Sequence, residues 1–191
     1  GYLHALLNRA RIELLILVLE SSSLVKLAQL GLFTSQGIPF FFCGEEMYRS
    51  KLGEKNTYNL PDKYNAIDWS LKSQYANLVE YHKGLIAMRK AHPAFAMGDA
   101  ELVREHLSFI ENENSAALGF VLDNLETIDP AKRIVVLMNG SREAVEFSIP
   151  AGEYKWICDG EAVSANGIGR YDAKDGKIVV APISGIVLAE Y

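Results

Sequence analysis

The chain has 191 residues, of which 49% are hydrophobic and 10% aromatic, and its formal net charge at pH 7 is −5. This composition supports a substantial hydrophobic core and excludes a disordered chain. The charges are spread along the sequence without a basic cluster, which argues against nucleic acid as the main partner, because phosphate binding needs concentrated Lys and Arg.

The N-terminal region has a helical pattern of apolar residues over Leu3–Leu32, with a break at Ser21–Ser23. The serine cluster predicts the N-cap of a second helix. The apolar run Leu14–Leu19 is too short to span a bilayer, which takes about 20 residues. Glu20 follows it directly, where a signal peptide would continue its apolar region. We therefore expect neither a membrane span nor a signal sequence.

A continuous apolar run at Ile38–Cys43 predicts the next element, a strand. A strand with one solvated face would alternate between apolar and polar residues, so this run predicts a strand buried on both faces, in a parallel sheet or barrel. It ends at Gly44 and two acids, Glu45 and Glu46. Such an end is how a strand of an α/β barrel presents a binding surface.

The segment 47–70 is predicted to be a long polar loop, and loops of this length are often functional. It places aromatic rings beside planar hydrogen-bonding groups, a mixture that suits sugars. The alternative is a compact loop that packs its own aromatic residues, and composition does not decide between the two. The residues concerned are Tyr48, Arg49, Lys51, Asn56, Tyr58, Asn59, Tyr64, Asn65, Asp68 and Trp69.

A helix is predicted over Ser73–Lys90, ending at His92 because Pro93 disfavours helix in the residue before it. After Pro93 the apolar period changes to two, with frequent turn signals, which predicts an all-β sandwich and a domain boundary near residues 93–98. The predicted strands are Ala100–Ile110, Ala116–Leu122, Arg133–Met138, Ala144–Ile149, Tyr154–Ile157, Ala162–Val163, Lys177–Val180 and Ile186–Tyr191; Gly167–Gly169 is predicted to be a turn.

The residues that could carry chemistry form no complete site. Glu45 and Glu46 invite comparison with the paired carboxylates of glycosidases. Adjacent residues on a strand point to opposite faces, so at most one of them would face a sugar, and a structural acid is favoured. Cys43 and Cys158 form no metal-binding pattern, and two lone buried thiols are favoured over a disulfide. The histidines have no metal-ligand spacing, so we expect no metal and no cofactor.

Five motifs stand out between the first helices and the end of the polar loop: Thr34–Pro39, Gly44–Glu46, Arg49–Lys51, Asn56–Asn59 and Asn65–Trp69. Together they resemble one region of type I pullulanases, debranching enzymes of glycoside hydrolase family 13 in the α-amylase superfamily. In that family the region is the eighth barrel strand and the loop after it. The resemblance covers roughly residues 24–191 and implies the end of a (β/α)8 barrel at residues 1–95, with the last strand and its flanking helices. An antiparallel β-sandwich of the α-amylase C-terminal type would follow at residues 96–191.

The resemblance also implies roles for the loop residues. Arg49, Lys51, Asn56, Tyr58 and Asn59 would border the sugar subsites. The catalytic acids of the family follow earlier barrel strands and would precede this chain. Residues nearer the catalytic centre or at the end of the loop would be Glu45, Asn65, Asp68 and Trp69.

The leading hypothesis is therefore the C-terminal portion of an α-glucan debranching enzyme, which would hydrolyse α-1,6-glucosidic bonds and be inactive without its catalytic acids. The alternatives are a non-catalytic α-glucan-binding module and a structural or assembly module. A single barrel strand with its helices would leave apolar faces uncovered, so we expect self-association or a missing barrel portion. A cytoplasmic location is favoured over secretion.

Overall fold

The computed structural model describes residues 21–191. The predicted helical pattern before residue 21 and the apolar run Leu14–Leu19 lie outside the described residues. Ser21–Ser23 are already helical, so the start of their helix is not defined by the described part of the chain.

Helices dominate the first half of the described chain and strands dominate the second. The helices are α1 (described over residues 21–34), α2 (Asp62–Asn65), α3 (Leu71–Gln74), α4 (Ala76–Ala91) and α5 (Ala100–His106), and 3₁₀ turns span Glu45–Met47 and Pro93–Ala96. The strands are β1 (Leu107–Ile110), β2 (Ala117–Asp123), β3 (Arg133–Asn139), β4 (Val145–Ser148), β5 (Glu153–Cys158), β6 (Gly169–Asp172), β7 (Lys177–Val180) and β8 (Ser184–Glu190).

The strands form an antiparallel sheet of order β1-β2-β3-β8-β5-β6 and a separate two-stranded ribbon of β4 and β7. The central strand β3 shows why the sheet is apolar on both faces. Ile134 and Val136 point toward the helices, whereas Val135 and Leu137 point toward the ribbon. The sheet is therefore the middle of three layers, and each face buries its own core.

The helical layer packs directly on this sheet. Leu30 and Phe33 of α1 and Leu85 and Met88 of α4 share one buried cluster with Ile134 of β3. Arg89 of α4 also holds the end of α1, because its guanidinium donates to the carbonyl oxygens at 33 and 35, each at 2.8 Å. The helical part and the sheet are thus joined by a common core.

The prediction of a buried strand at Ile38–Cys43 is wrong for the described structure. The segment forms no strand, and the side chains of Ile38 and Phe40 are 96% and 88% exposed. Burial on both faces requires a sheet with layers packed over both of its faces, and no described strand pairs with this segment to form such a sheet. Cys43 is exposed as well, so only Cys158 of the two free thiols is buried.

The predicted strand Ala100–Ile110 is divided into α5 and β1. Asp99 explains the helix, because its Oδ1 accepts hydrogen bonds from the backbone N–H of Glu101 and Leu102, at 2.8 and 3.1 Å, and so caps the first turn. The remaining predicted strands match observed ones within two residues, except that Ala162–Val163 forms only one bridge, from Val163 to Cys158. Strand β6 begins within the predicted turn at Gly167–Gly169.

Candidate functional site

The two acids that follow the exposed segment stand on a 3₁₀ turn rather than on a strand end, and this corrects the predicted opposite-face arrangement. Glu45 Oε2 accepts a hydrogen bond from Gln29 Nε2 of α1 at 3.1 Å. Glu46 Oε2 accepts one from the backbone N–H of Gly44 at 2.9 Å. Each carboxylate therefore has its own local partner, and the two do not form a pair flanking a common space.

Gly44 permits the sharp turn that brings Arg49 back against the chain. Its φ is +98°, and a Cβ built there would lie 2.6 Å from Arg49 Cβ. Positive φ and this close approach both require glycine. The Arg49 guanidinium donates to the carbonyl oxygens of Cys43, at 3.0 Å, and of Asn65, and it lies over the ring of Phe42.

Asn65 closes the loop from its other end. Its Nδ2 donates to the carbonyl oxygens of Thr57 and Leu60, at 2.7 and 2.8 Å, and its Oδ1 accepts from Lys51 Nζ at 2.7 Å. Desolvation, and then the charge of nearby Arg49, lower the pKa of Lys51. Arg49, Lys51 and Asn65 thus form one hydrogen-bonded group, which we call the loop clasp.

The other predicted substrate-binding residues lie outside the loop clasp. Asn56, Tyr58 and Asn59 are exposed, with Tyr58 84% exposed, and within the described part of the chain they make no side-chain hydrogen bond. Their side chains are therefore available to a ligand, in a loop segment whose carbonyl oxygen at Thr57 is held by Asn65.

Asp68 and Trp69 end the loop in different ways. Asp68 Oδ1 accepts from the N–H and Oγ of Ser70, at 3.0 and 2.6 Å, and these hydrogen bonds lower the pKa of Asp68. Trp69 is 63% exposed and lines a shallow cleft of about 320 Å³ together with residues of α3 and α4, including Lys72 and Val79.

The 3₁₀ turn rests on two polar residues that sequence reasoning did not assign to the site. Gln29 and His82 are both buried, and neither Gln29 Oε1 nor His82 Nε2 has a hydrogen-bond partner among the described residues. His82 Nδ1 donates to the carbonyl oxygen of Leu78 at 3.1 Å, and burial lowers the pKa of His82. The available signal was a polar residue on the apolar face of each helix.

The loop offers exposed side chains beside a hydrogen-bonded group. The described residues contain no group of three or more His, Cys, Asp or Glu side chains placed to hold a metal ion. None of the described helices combines the length and hydropathy required to cross a membrane. The loop exposes Asn56, Tyr58, Asn59 and Trp69, and these side chains can form hydrogen bonds and ring contacts with a ligand.

The family profile described as "Pullulanase, all-beta domain" matches residues 103–162. Among curated proteins, the chain is 31% identical over 156 residues to the pullulanase of Bacillus subtilis (strain 168). This alignment covers 75% of the chain and 22% of the relative. It is 33% identical over 138 residues to an isoamylase of Flavobacterium sp, covering 62% of this chain and 18% of the relative.

Solved structures agree with these matches. Pullulanase from Bacillus acidopullulyticus aligns with a TM-score of 0.82 at 32% identity, over 88% of this chain and 20% of that chain. Pullulanase type I from Bacillus subtilis str. 168, complexed with maltose, aligns with a TM-score of 0.81 at 28% identity, over 90% of this chain and 24% of that chain. The chain therefore spans about a fifth to a quarter of the length of these relatives.

Proposed function

We propose that this chain, which is pullulanase-like and homologous to debranching enzymes of glycoside hydrolase family 13, is the C-terminal portion of an enzyme that hydrolyses α-1,6-glucosidic bonds in α-glucans. The observation that carries the proposal is the alignment of 88% of the chain, helices and sheet together, with a pullulanase structure. The chain contributes one wall of the glucan site, while the catalytic acids lie in the portion of such an enzyme that it does not span.

Residues 1–95 are proposed to be the end of a (β/α)8 barrel, and residues 96–191 the β-sandwich that follows it. The exposed segment Ile38–Cys43 supports this division. Its side chains are apolar on both sides of the chain, as in a strand with neighbours on each side, yet Ile38 and Phe40 are almost fully exposed. Neighbouring barrel strands supplied by the rest of the enzyme would cover them.

The proposed glucan contacts come from the loop. Asn56, Tyr58 and Asn59 offer two amides and one aromatic ring to a sugar, and Arg49 and Lys51 border them while holding the loop in shape. Glu45, Asn65, Asp68 and Trp69 support the loop or end it. The maltose complex of the Bacillus subtilis enzyme agrees with a malto-oligosaccharide as the ligand class.

An assay of reducing ends tests the proposal that the chain alone is inactive. The purified chain is incubated with pullulan beside a blank and an intact pullulanase as positive control. No release above the blank is expected, because the loop supplies no acid and nucleophile pair. Release by the chain at a measurable rate, and lost on heat denaturation, would refute the assignment of the acids to another portion.

A non-catalytic glucan-binding module is the second candidate, and it is favoured by the exposure of Tyr58 and Trp69. Calorimetric titration of the chain with maltotriose and maltotetraose distinguishes it. Binding that is weakened about tenfold by Tyr58→Ala, and unchanged by the matched variant Phe109→Ala at the exposed ring of Phe109 on β1, would show that the loop binds glucan without the rest of the barrel. Absence of heat at millimolar ligand would leave the loop dependent on its missing neighbours.

A further inference from the structure

A second cleft lies in the β-sheet region, at the edge formed by β5, β6 and the end of β8. Its volume is about 690 Å³, within the range of small-molecule sites, and no residue of the loop 47–70 lines it. The residues that line it are Lys132, Glu153, Tyr154, Lys155, Arg170, Tyr171, Asp172, Ala189, Glu190 and Tyr191.

Two cations lie side by side among the residues that line this cleft. Lys155 of β5 and Arg170 of β6 are directly opposite in the antiparallel ladder, so their side chains project from the same face of the sheet. Like charges in this arrangement destabilise a sheet. Arg170 makes no hydrogen bond or ion pair with any described residue, and Lys155 Nζ contacts only the ring of Tyr191, 4.2 Å from its centroid.

The carboxylates of the cleft do not neutralise these cations. Glu190 forms ion pairs through both carboxylate oxygens, with Lys132 Nζ at 2.8 Å and with Arg133 Nη1 at 2.9 Å. Asp172 Oδ2 pairs with Lys174 at 2.9 Å.

Glu153 is the remaining acid of the cleft. Glu153 lies opposite Asp172 on the same face of the sheet, two residues along each strand from the pair of Lys155 and Arg170. It forms no ion pair with Lys155 or Arg170. The two facing cations therefore have no anionic partner in the described part of the protein.

We propose that this cleft binds a small phosphorylated sugar, independently of the function proposed for the loop. The phosphate lies between Lys155 and Arg170, where one anion replaces a repulsion with two attractions. An arginine fork and a lysine point charge are the side chains that bind phosphate most often. The half-exposed ring of Tyr191, held beside Lys155, provides a flat apolar surface for the sugar ring.

Calorimetric titration of the full chain at low salt tests this site, because screening weakens exposed charge pairs. Glucose 6-phosphate, inorganic phosphate and glucose are the probes. We expect glucose 6-phosphate to bind at least threefold more tightly than phosphate, and glucose to give no heat. Arg170→Gln and Lys155→Gln should each weaken glucose 6-phosphate binding at least tenfold. The matched control is Lys177→Gln, since Lys177 pairs with Glu146 outside the cleft. The affinity of this variant for glucose 6-phosphate should stay within twofold of that of the parent.

Thermal unfolding separates loss of the site from loss of the fold. Without phosphate, Arg170→Gln should melt at the same temperature as the parent or higher, because it removes a like charge from the ladder. With glucose 6-phosphate the parent's melting temperature should rise and that of the variant should not.

Three results would overturn the proposal. One is a parent that gives neither heat nor a melting shift with either phosphate compound. Another is a Lys177→Gln variant that loses as much affinity as Arg170→Gln, because the effect would then be general charge attraction. The third is equal affinity for phosphate and glucose 6-phosphate, which would remove the assigned contact between the sugar and Tyr191.

Discussion

Asn65 determines the shape of the polar loop through a single side chain. Its amide spans two carbonyl oxygens and the Lys51 ammonium, and its backbone oxygen accepts from Arg49. The neighbouring amides Asn56 and Asn59 make no comparable contact within the described chain. Three asparagines close together in sequence thus have different roles, one internal to the loop and two open to a ligand.

Replacing Asn65 by Ala should loosen the loop without unfolding the protein. It removes three hydrogen bonds of about 1 kcal/mol each, so the free energy of local opening should fall by about 2–3 kcal/mol. Amide hydrogen exchange over residues 49–66 measures this opening. Asn59→Ala is the matched control and should leave exchange unchanged; equal effects of the two variants would contradict the role given to Asn65.

His82 should make the stability of the protein depend on pH. Burial lowers its pKa in the folded state, while the charges of Glu46 and Glu45 act in the opposite direction and are smaller contributions. The pKa of a histidine in the unfolded chain is about 6.5. Below this pH the unfolded chain binds a proton at His82 more readily than the folded chain does. The stabilisation is therefore present above pH 6.5 and is lost as the pH falls toward the folded pKa.

Urea unfolding at pH 7 and at pH 5.5 checks this contribution. The parent and His82→Gln share every carboxylate, so the difference between their pH dependences isolates His82. The variant should lose less unfolding free energy over this interval than the parent. An identical loss in both proteins would show that His82 does not titrate differently on folding.

Among the elements, α4 closely approaches the β region at Gly84. A Cβ built at Gly84 would lie 2.5 Å from the carbonyl oxygen of Val163 and 2.7 Å from its Cβ. The absence of a side chain therefore sets the distance between the helix and this part of the chain. Gly31 of α1 differs, because among residues 21–191 its Cβ would meet only Met138 Sδ, at 3.4 Å.

The two glycines should respond in opposite directions to alanine. Gly31→Ala should raise the free energy of unfolding by about 0.5–1 kcal/mol, since alanine favours a helix and no backbone obstructs it. Gly84→Ala carries the same helical gain, but the contact with backbone at Val163 should lower stability by about 1–3 kcal/mol. Urea unfolding of both variants provides the measurement, and equal stabilisation would refute the close approach.

At the scale of the whole molecule, the segment Ile38–Cys43 leaves apolar side chains exposed beside a well-packed core. Such surfaces usually mark interfaces. We expect the chain to self-associate through Ile38 and Phe40, and the double variant Ile38→Ser/Phe40→Ser to remain monomeric with its stability unchanged within about 0.5 kcal/mol.

Sedimentation velocity across a concentration series tests this expectation. Val179→Ser is the control, since Val179 is 59% exposed on the two-stranded ribbon, and it should associate like the parent. A parent that sediments as a monomer at micromolar concentration would contradict the expectation. Association that persists in the double variant would place the contact elsewhere on the molecule.

The strands from β2 onward were largely predictable from sequence, because their signals are local. In Arg133–Met138 every position after Arg133 is apolar, which suits a sheet covered on both faces. In Ala144–Ile149 apolar and polar residues alternate over Val145–Ser148, and their burial alternates in the same way. Turn residues marked most of the ends. The helical spacing over Ser73–Lys90 was predictable for the same reason, and Pro93 marks the end of α4. The sequence did not show that Tyr75, at φ −115° and ψ 38°, separates the short helix α3 from α4.

The sequence by itself determined the period of each element and the residues of the polar loop. Tertiary structure alone decided that Ile38–Cys43 is exposed, and that Arg49, Lys51 and Asn65 meet while Asn56, Tyr58 and Asn59 remain open. The physical reason is that periodicity records the preference of each residue for a buried or solvated side. Burial and hydrogen bonding depend instead on which distant segments lie beside a residue. Lys155 and Arg170 are an example, because the pairing of β5 with β6 places them directly opposite each other.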